Sequence, residues 1–197
     1  MRYQVDHKEK TRSLVLAEAG KAIRKDGPHR VSVAAVMKRA GLTHGGFYAH
    51  FGSRDAMLVA AIEQMFDTSR DRWVRETLDR SPADGLSAYV DWYLSKAHRD
   101  AREAGCVIAA LASDLPRLSA PCQKAYAEGA RRIIGFLSAH LTTLRRPDPD
   151  DLARSVLAEM VGALSLARIE IEPRRSDAIL AASRTSVKRR LGIGGAS

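Results

Sequence analysis

Residues 32–58 read SVAAVMKRAGLTHGGFYAHFGSRDAML, a pattern that predicts two short helices joined by a tight turn. Ser32 can cap the first helix through its side-chain oxygen, and Thr43 can cap the second, which we expect to end near Phe51. Between them, Gly41 can adopt the left-handed conformation that ends a helix without steric cost. In a helix-turn-helix unit of this kind, the second helix enters the major groove of DNA.

Flanking helices complete a small N-terminal domain. Upstream, apolar residues recur at helical spacing over 7–26, and a Gly-Pro pair ends that helix. Downstream, Ser53 can cap a helix that begins at Arg54. We therefore expect a three-helix DNA-binding domain over residues 1–53.

The rest of the chain is also predicted to be helical, since no alternating β-branched pattern persists beyond a few residues. Breaking and capping residues divide it into helices over 81–103, 106–115, 122–144, 148–170 and 173–191. We expect an all-α protein in which residues 54–191 form a larger helical ligand-binding and dimerisation domain. Residues 192–197 are expected to form a flexible tail.

The positive charge of the chain is concentrated near its N-terminus. Residues 1–54 carry 11 Lys and Arg side chains against 4 Asp and Glu, a net charge of +7, whereas the remaining 143 residues carry only +2. This distribution favours a polyanionic partner for the N-terminal domain. A basic face that only keeps the protein in solution would give the same charge distribution, so the residue pattern has to decide.

Several classes of protein are excluded by missing signals. No stretch reaches the roughly 18 apolar residues that a membrane helix needs, and the first ten residues lack a signal-peptide core, so we expect a cytoplasmic protein. Cys106 and Cys122 have no second Cys or His at metal-ligand spacing; we expect free thiols, no metal and no cofactor. The common nucleophile, phosphate-loop and metalloprotease motifs are missing, so we expect no enzymatic activity.

The motif resembles the DNA-binding domain of TetR-family transcriptional regulators. The resemblance rests on a Tyr-x-His-Phe core, here Tyr48 to Phe51, that follows the turn glycine and a small capping residue. Upstream positions also match the family: Arg12, Val15, Leu16, Ala19, Ile23 and Gly27. The match is strong over residues 8–65, and beyond them it extends only to the number of helices.

The resemblance implies roles in DNA binding for nine residues. It implies that Ser32 and Val33, at the start of the second helix, contact the DNA backbone. At the start of the recognition helix, it implies that Thr43, His44, Gly45 and Gly46 read the bases or allow a close approach to the DNA. Phosphate contacts are implied for Tyr48, His50 and Arg54. Two aromatic residues, Phe47 and Phe51, are expected to hold the short helix against the core.

The large C-terminal part suggests regulation by a small molecule. The 130 or so residues after the motif exceed what DNA contact needs and can enclose an apolar cavity, which argues against an unregulated structural DNA-binding protein. We expect a repressor that binds palindromic operator DNA and is released by an inducer. The candidate cavity residues are Trp92, Leu111, Phe136 and Met160.

Two apolar stripes with small neighbours mark the last two predicted helices. They can belong to the core of one chain or to a subunit interface. In the TetR family these helices form a four-helix bundle between two protomers, so we expect a homodimer through them, with Leu164 in the seam.

Cys106 allows two interpretations. A thiol at the start of a short helix has its thiolate favoured by the helix dipole, and some members of the resembled family sense electrophiles or oxidants through such a cysteine. Cys106 is therefore a possible redox sensor, with Cys122 as an optional resolving thiol. The apolar run after it is equally typical of a buried structural cysteine.

Overall fold

A computed structural model describes residues 2–193, and within that range the chain is helical without a β-strand. The α-helices are α1 (Arg2–Asp26), α2 (Val33–Arg39), α3 (Arg54–Thr77), α4 (Pro82–Tyr93), α5 (Lys96–Asp100), α6 (Val107–Leu111), α7 (Ala120–Thr143), α8 (Pro149–Ile169) and α9 (Pro173–Leu191). Short 3₁₀ helices span Pro28–Arg30, His44–Ala49, Arg102–Ala104 and Leu115–Arg117. The predicted all-α class is confirmed.

The N-terminal core forms where α1 packs against α2 and α3. The apolar face of α1 that the sequence predicts is buried, with Val15 and Ala19 fully enclosed. Ser53 accepts a hydrogen bond from the Ala56 N–H at 3.0 Å, so α3 begins at Arg54 as its capping residue predicts.

Helix α3 is shared by both ends of the molecule. Its first half buries Leu58 and Ile62, and its second half carries Phe66 and Trp73 into the C-terminal bundle. It contacts α1 on one side and both α4 and α7 on the other. The buried apolar residues consequently form one continuous core, and the division of the chain after residue 53 stays a prediction.

The single helix predicted over 81–103 is wrong. Helix α4 ends at Tyr93, and Ser95 caps α5 by accepting a hydrogen bond from the His98 N–H at 3.1 Å. The His98 ring Nδ1 lies 2.7 Å from the Tyr93 carbonyl oxygen, so the side chain replaces a helical partner for that carbonyl. The chain bends here because polar groups satisfy the helix ends that the bend exposes.

The helix predicted over 106–115 is also shorter than expected, since α6 ends at Leu111. Helix α7 starts at Ala120, two residues earlier than predicted, because Pro121 occupies the first turn, where a missing N–H costs no helical hydrogen bond.

The C-terminal end of α9 follows its sequence signal. Gly192 has a φ of +62° and ends the helix in the left-handed conformation. Residues 194–197 of the predicted tail lie outside the described residues. Across residues 2–193, every helix is too short or too polar to cross a membrane.

Candidate functional site

A tight turn fixes the two helices of the motif. Ser32 accepts a hydrogen bond from the Ala35 N–H at 3.3 Å and so caps α2 as predicted. Gly41 has a φ of +71°, and the next N–H, from Leu42, reaches the Met37 carbonyl at 2.9 Å. This pair of features is the usual end of an α-helix, and it turns the chain directly into the His44–Ala49 helix.

The His44–Ala49 helix is anchored by aromatic packing rather than by its cap. The Thr43 side chain makes no capping hydrogen bond. Phe47 and Phe51 are buried and stack with ring centroids 5.5 Å apart, which confirms their predicted place in the core. The opposite side of the short helix is therefore free to face a partner.

That opposite side is exposed. Tyr48 is 70% exposed although it is a large aromatic residue, and His44 and Gly45 beside it are exposed as well. Ser32 and Thr43 are also exposed, whereas Val33 and Gly46 are half-buried. The structure thus brings these predicted DNA-binding positions together around the turn.

The fold itself does not require the two glycines. A Cβ atom on Gly45 would meet nothing within 4 Å, and on Gly46 its nearest neighbour would be the Met37 methyl group at 3.8 Å. Neither glycine has a positive φ. Because glycine weakens a helix by about 1 kcal/mol relative to alanine, a close approach by another molecule is the better explanation for both.

His50 lies in a basic environment that the motif alone does not reveal. Burial, Lys8 and Arg12 all lower its pKa, and its Nδ1 is buried without a hydrogen-bond partner in the described part of the chain. The Arg12 guanidinium also lies 5.1 Å from the centroid of the Phe51 ring. Lys8 and Arg12 extend the basic surface, and their i,i+4 spacing on α1 is the sequence signal that places them on one face.

Arg54 has a structural contact that sequence reasoning missed. Its Nε donates to the Val31 carbonyl at 3.0 Å and its Nη2 to the Pro28 carbonyl at 2.5 Å. These bonds tie α3 to the loop between α1 and α2. Arg54 therefore holds the motif in place, and the phosphate contact implied for it stays a prediction.

A cavity of about 220 Å³ lies between α3, α4 and the segment around residue 106. Of the four predicted ligand residues, Trp92 lines it. The other three are not among its lining residues: Leu111 and Met160 are fully buried core, and Phe136 stacks on Trp73 at 6.0 Å. Sequence periodicity marks apolar residues but does not separate a cavity wall from a packed core.

The half-buried Cys106 lines the same cavity, at the start of α6. Its backbone N–H donates to the His98 Nε2 at 3.0 Å, and the His98 ring stacks on Trp92 with centroids 4.5 Å apart. Burial lowers the pKa of His98 to about 4, so the ring is neutral at neutral pH and can accept this bond. His98 is a satisfied buried histidine that holds the cavity wall.

The second cysteine lies elsewhere. Cys122 is buried in α7 near Ser119 and Asp55, and burial raises its pKa. Both thiols are free, as predicted. In the described part of the molecule, no three His, Cys, Asp or Glu side chains are grouped as metal ligands.

The apolar stripe predicted for the dimer seam is largely intrachain core. Leu164, Met160 and Val156 are 0% exposed within one chain, so the expectation that Leu164 lies in a seam is wrong. The exposed or half-buried stripe of α8 contains Ala158, Gly162, Leu166 and Ile169. The middle of α9 exposes four small residues, namely Ala178, Ala181, Ala182 and Thr185, whereas its two ends expose Pro173 and four arginines.

Comparisons with known proteins agree with this architecture. Residues 15–61 match the family model described as "Bacterial regulatory proteins, tetR family". The HTH-type transcriptional repressor NemR of Escherichia coli K12 is 26% identical over 133 residues, which cover 66% of this chain and 67% of NemR.

Solved structures extend the similarity to nearly the whole fold. The crystal structure of the reduced form of E. coli NemR has a TM-score of 0.81 at 25% identity and covers 91% of this chain and 96% of that one. A TetR transcriptional regulator from Chloroflexus aurantiacus has a TM-score of 0.80 at 23% identity, with 98% and 97% covered. Residues 15–61 are thus similar to the DNA-binding domain of the TetR family of transcriptional regulators, and the described chain shares the fold of these regulators, an N-terminal helix-turn-helix followed by a larger helical domain.

Proposed function

We propose that this regulator is a cytoplasmic repressor that binds palindromic operator DNA as a homodimer and releases it when a small molecule occupies the C-terminal domain. The observation that carries the proposal is the exposed side of the His44–Ala49 helix, with Tyr48 at 70% exposure and two glycines that the fold does not need. The similarity to NemR, a protein named as a repressor, supports repression over activation.

The DNA contacts divide by chemistry. Thr43 and His44 lie at the start of the exposed short helix and read base edges, while Gly45 and Gly46 allow the backbone to approach the groove. Tyr48 and His50 donate to phosphates, with Lys8 and Arg12 adding positive charge beside His50. Ser32 and Val33 contact the backbone from the start of α2.

Dimerisation uses the exposed faces of α8 and α9. Leu166 is 54% exposed, Ile169 is 73% exposed and Ile171 is 94% exposed, so three large apolar residues within six positions are available to a second protomer. A Cβ on Gly162 would meet nothing within 4 Å, so a second helix can approach closely there. A two-fold dimer then presents two recognition helices to two half-sites.

The cavity is the inducer site. Its wall includes Ala104 and Cys106, which adjoin the Arg102–Ala104 helix that packs on α1. Lys25 of α1 also pairs with Glu103 at 2.9 Å. A ligand that moves this wall therefore moves the helix on which the DNA-binding motif is built.

The test begins with fragments of the source genome that the protein retains. A mobility-shift series should show affinity falling with salt, and Tyr48→Phe should weaken all sequences alike by removing a phosphate donor. His44→Ala should mainly relax base preference. The proposal fails if no fragment is retained or if affinity is independent of salt. A small-molecule screen that never changes DNA affinity would favour an unregulated DNA-binding protein instead.

A second candidate mechanism is covalent sensing by Cys106. Arg24 lines the same cavity as Cys106, and the Arg168 guanidinium packs against the adjacent Gly105, so two positive charges lie near the thiol. The related NemR structure is titled as a reduced form, which concerns that protein's own redox state.

Matched cysteine variants test this mechanism. Operator release by N-ethylmaleimide and by peroxide should be lost in Cys106→Ser and kept in Cys122→Ser. Equal release of wild type and Cys106→Ser, or release of neither, leaves the non-covalent cavity as the only inducer site.

A further inference from the structure

Arg24 is a half-buried cation without a counter-ion among the described residues. It lies in the last turn of α1 and lines the cavity. Its Nε is fully enclosed and has no hydrogen-bond partner, and none of its atoms forms an ion pair with another described residue. A partly desolvated charge of this kind gains free energy when an anion pairs with it.

The other charges of the cavity do not balance Arg24. The Asp71 carboxylate already forms an ion pair with Arg70, at 2.9 Å. Arg72 pairs with Glu76 at 3.2 Å and lies 4.7 Å from the centroid of the Trp92 ring. Arg75, at the cavity mouth, is exposed and adds another positive charge. Desolvation lowers the pKa of Arg24 to about 10, which still leaves it charged at neutral pH. The side chains that line the cavity therefore carry a net positive charge.

The remaining walls are aromatic. Phe66, Tyr89, Trp92 and Tyr93 line the cavity, and the Tyr89 and Trp92 rings lie 5.7 Å apart. The Tyr93 hydroxyl is buried beside the weakly accepting Cys106 thiol and has no stronger hydrogen-bond partner in the described residues. Flat apolar groups fit such walls, and an acceptor of a ligand can satisfy the free hydroxyl.

We propose that the inducer is an aromatic anion whose carboxylate pairs with Arg24 while its planar body packs among the aromatic walls. The inference deepens the ligand response proposed above and rests on it. It also links binding to DNA release. Arg24 lies three residues before Gly27, where the chain leaves α1 with a φ of +82° and enters the DNA-binding motif. A carboxylate that draws Arg24 inward thus pulls on the motif directly.

The experiment uses three acids of increasing size, benzoate, 1-naphthoate and biphenyl-4-carboxylate, each with its neutral primary amide. Binding to the full-length protein is measured by quenching of tryptophan fluorescence, since Trp92 lines the cavity. At least one acid should bind wild type about tenfold or more tightly than its amide, as a hydrogen-bonded ion pair requires.

Variants of Arg24 identify the pairing group. Arg24→Met should abolish the preference for the acid, and Arg24→Lys should keep part of it. Arg131→Met, a change at an exposed arginine outside the cavity, is the matched control and should behave as wild type. Arg24→Met should also unfold at no lower urea concentration than wild type, because it removes an enclosed Nε that has no hydrogen-bond partner among the described residues.

The outcomes separate this inference from the function on which it rests. Amides that bind as tightly as acids, an acid preference that survives Arg24→Met, or the failure of every acid to bind would overturn the anion site. If neutral compounds instead release operator DNA, the ligand response stands without it. If acids bind through Arg24 but DNA is retained, the anion site stands and the ligand response fails.

Discussion

Replacing Arg54 with alanine should destabilise the protein rather than only weaken DNA binding. The change removes two hydrogen bonds from a half-buried guanidinium to the Val31 and Pro28 carbonyls. Hydrogen bonds from charged donors contribute roughly 1.5–3 kcal/mol each, and partial solvent exposure reduces that value. We expect Arg54→Ala to lower the free energy of unfolding by about 2–4 kcal/mol.

Urea unfolding followed by far-ultraviolet circular dichroism measures this loss. Arg54→Lys should recover only part of the stability, because a single ammonium group cannot reproduce the forked geometry of a guanidinium. Tyr48→Phe is the matched control, since its exposed hydroxyl makes no hydrogen bond within the described chain: it should weaken DNA binding and leave the urea midpoint unchanged. An unchanged midpoint for Arg54→Ala, together with weaker DNA binding, would refute the structural role and favour the phosphate contact.

Three further changes probe other parts of the account. Leu166→Glu should shift the protein from dimer to monomer in sedimentation at micromolar concentration without unfolding it. The control Leu164→Ala should lower the free energy of unfolding by about 2–5 kcal/mol and leave the dimer face intact. If Leu166→Glu stays dimeric, the interface lies elsewhere. Gly46→Ala should keep or slightly raise the thermal midpoint and weaken operator binding, because its Cβ is free of clashes only in the unbound protein; unchanged DNA affinity would rule out close approach there. The pKa of His98 is about 4 in the folded protein, below its ordinary value of 6.5. Between these two pH values the unfolded chain binds a proton that the folded protein does not, so the free energy of unfolding falls by about 3 kcal/mol as the pH drops from 6.5 towards 4. Urea curves between pH 7.5 and 4 should show this loss in wild type but not in His98→Gln, and an equal loss in both would assign it to other groups.

The sequence predicted best the elements whose signals are local. Ser32, Gly41 and Ser53 each act on a backbone group within three residues or on their own dihedral angle, and the structure places α2, the turn and the start of α3 accordingly. Pro173 likewise marks the start of α9, which the structure keeps, and α8 begins at Pro149, one residue after its predicted start.

The sequence failed where distant residues decide the outcome. The break after Tyr93 depends on the His98 ring, which also receives a hydrogen bond from the Cys106 N–H. Leu164 and Leu166 are both apolar and two positions apart, and only the packing of α8 shows that the first is buried and the second exposed. Neither effect has a signature in hydrophobic periodicity.

The candidate site shows the same division. The exposed positions around the turn could be identified from the motif, but the structural contacts of Arg54 and the enclosure of the Arg24 Nε depend on segments that meet only in the folded chain. A lone arginine near the end of an amphipathic helix is normally solvated, so its sequence context gives no hint of a cavity.

The central claim is that a dimer of this chain reads DNA through the His44–Ala49 helix. Footprinting on a retained genomic fragment, combined with the mass of the complex in solution, tests it most directly. The account predicts two protomers on one two-fold symmetric site, with half-site centres about one helical turn apart and protection lost in the double variant His44→Ala with Tyr48→Phe. Protection without two-fold symmetry, or protection that the double variant leaves unchanged, would contradict it.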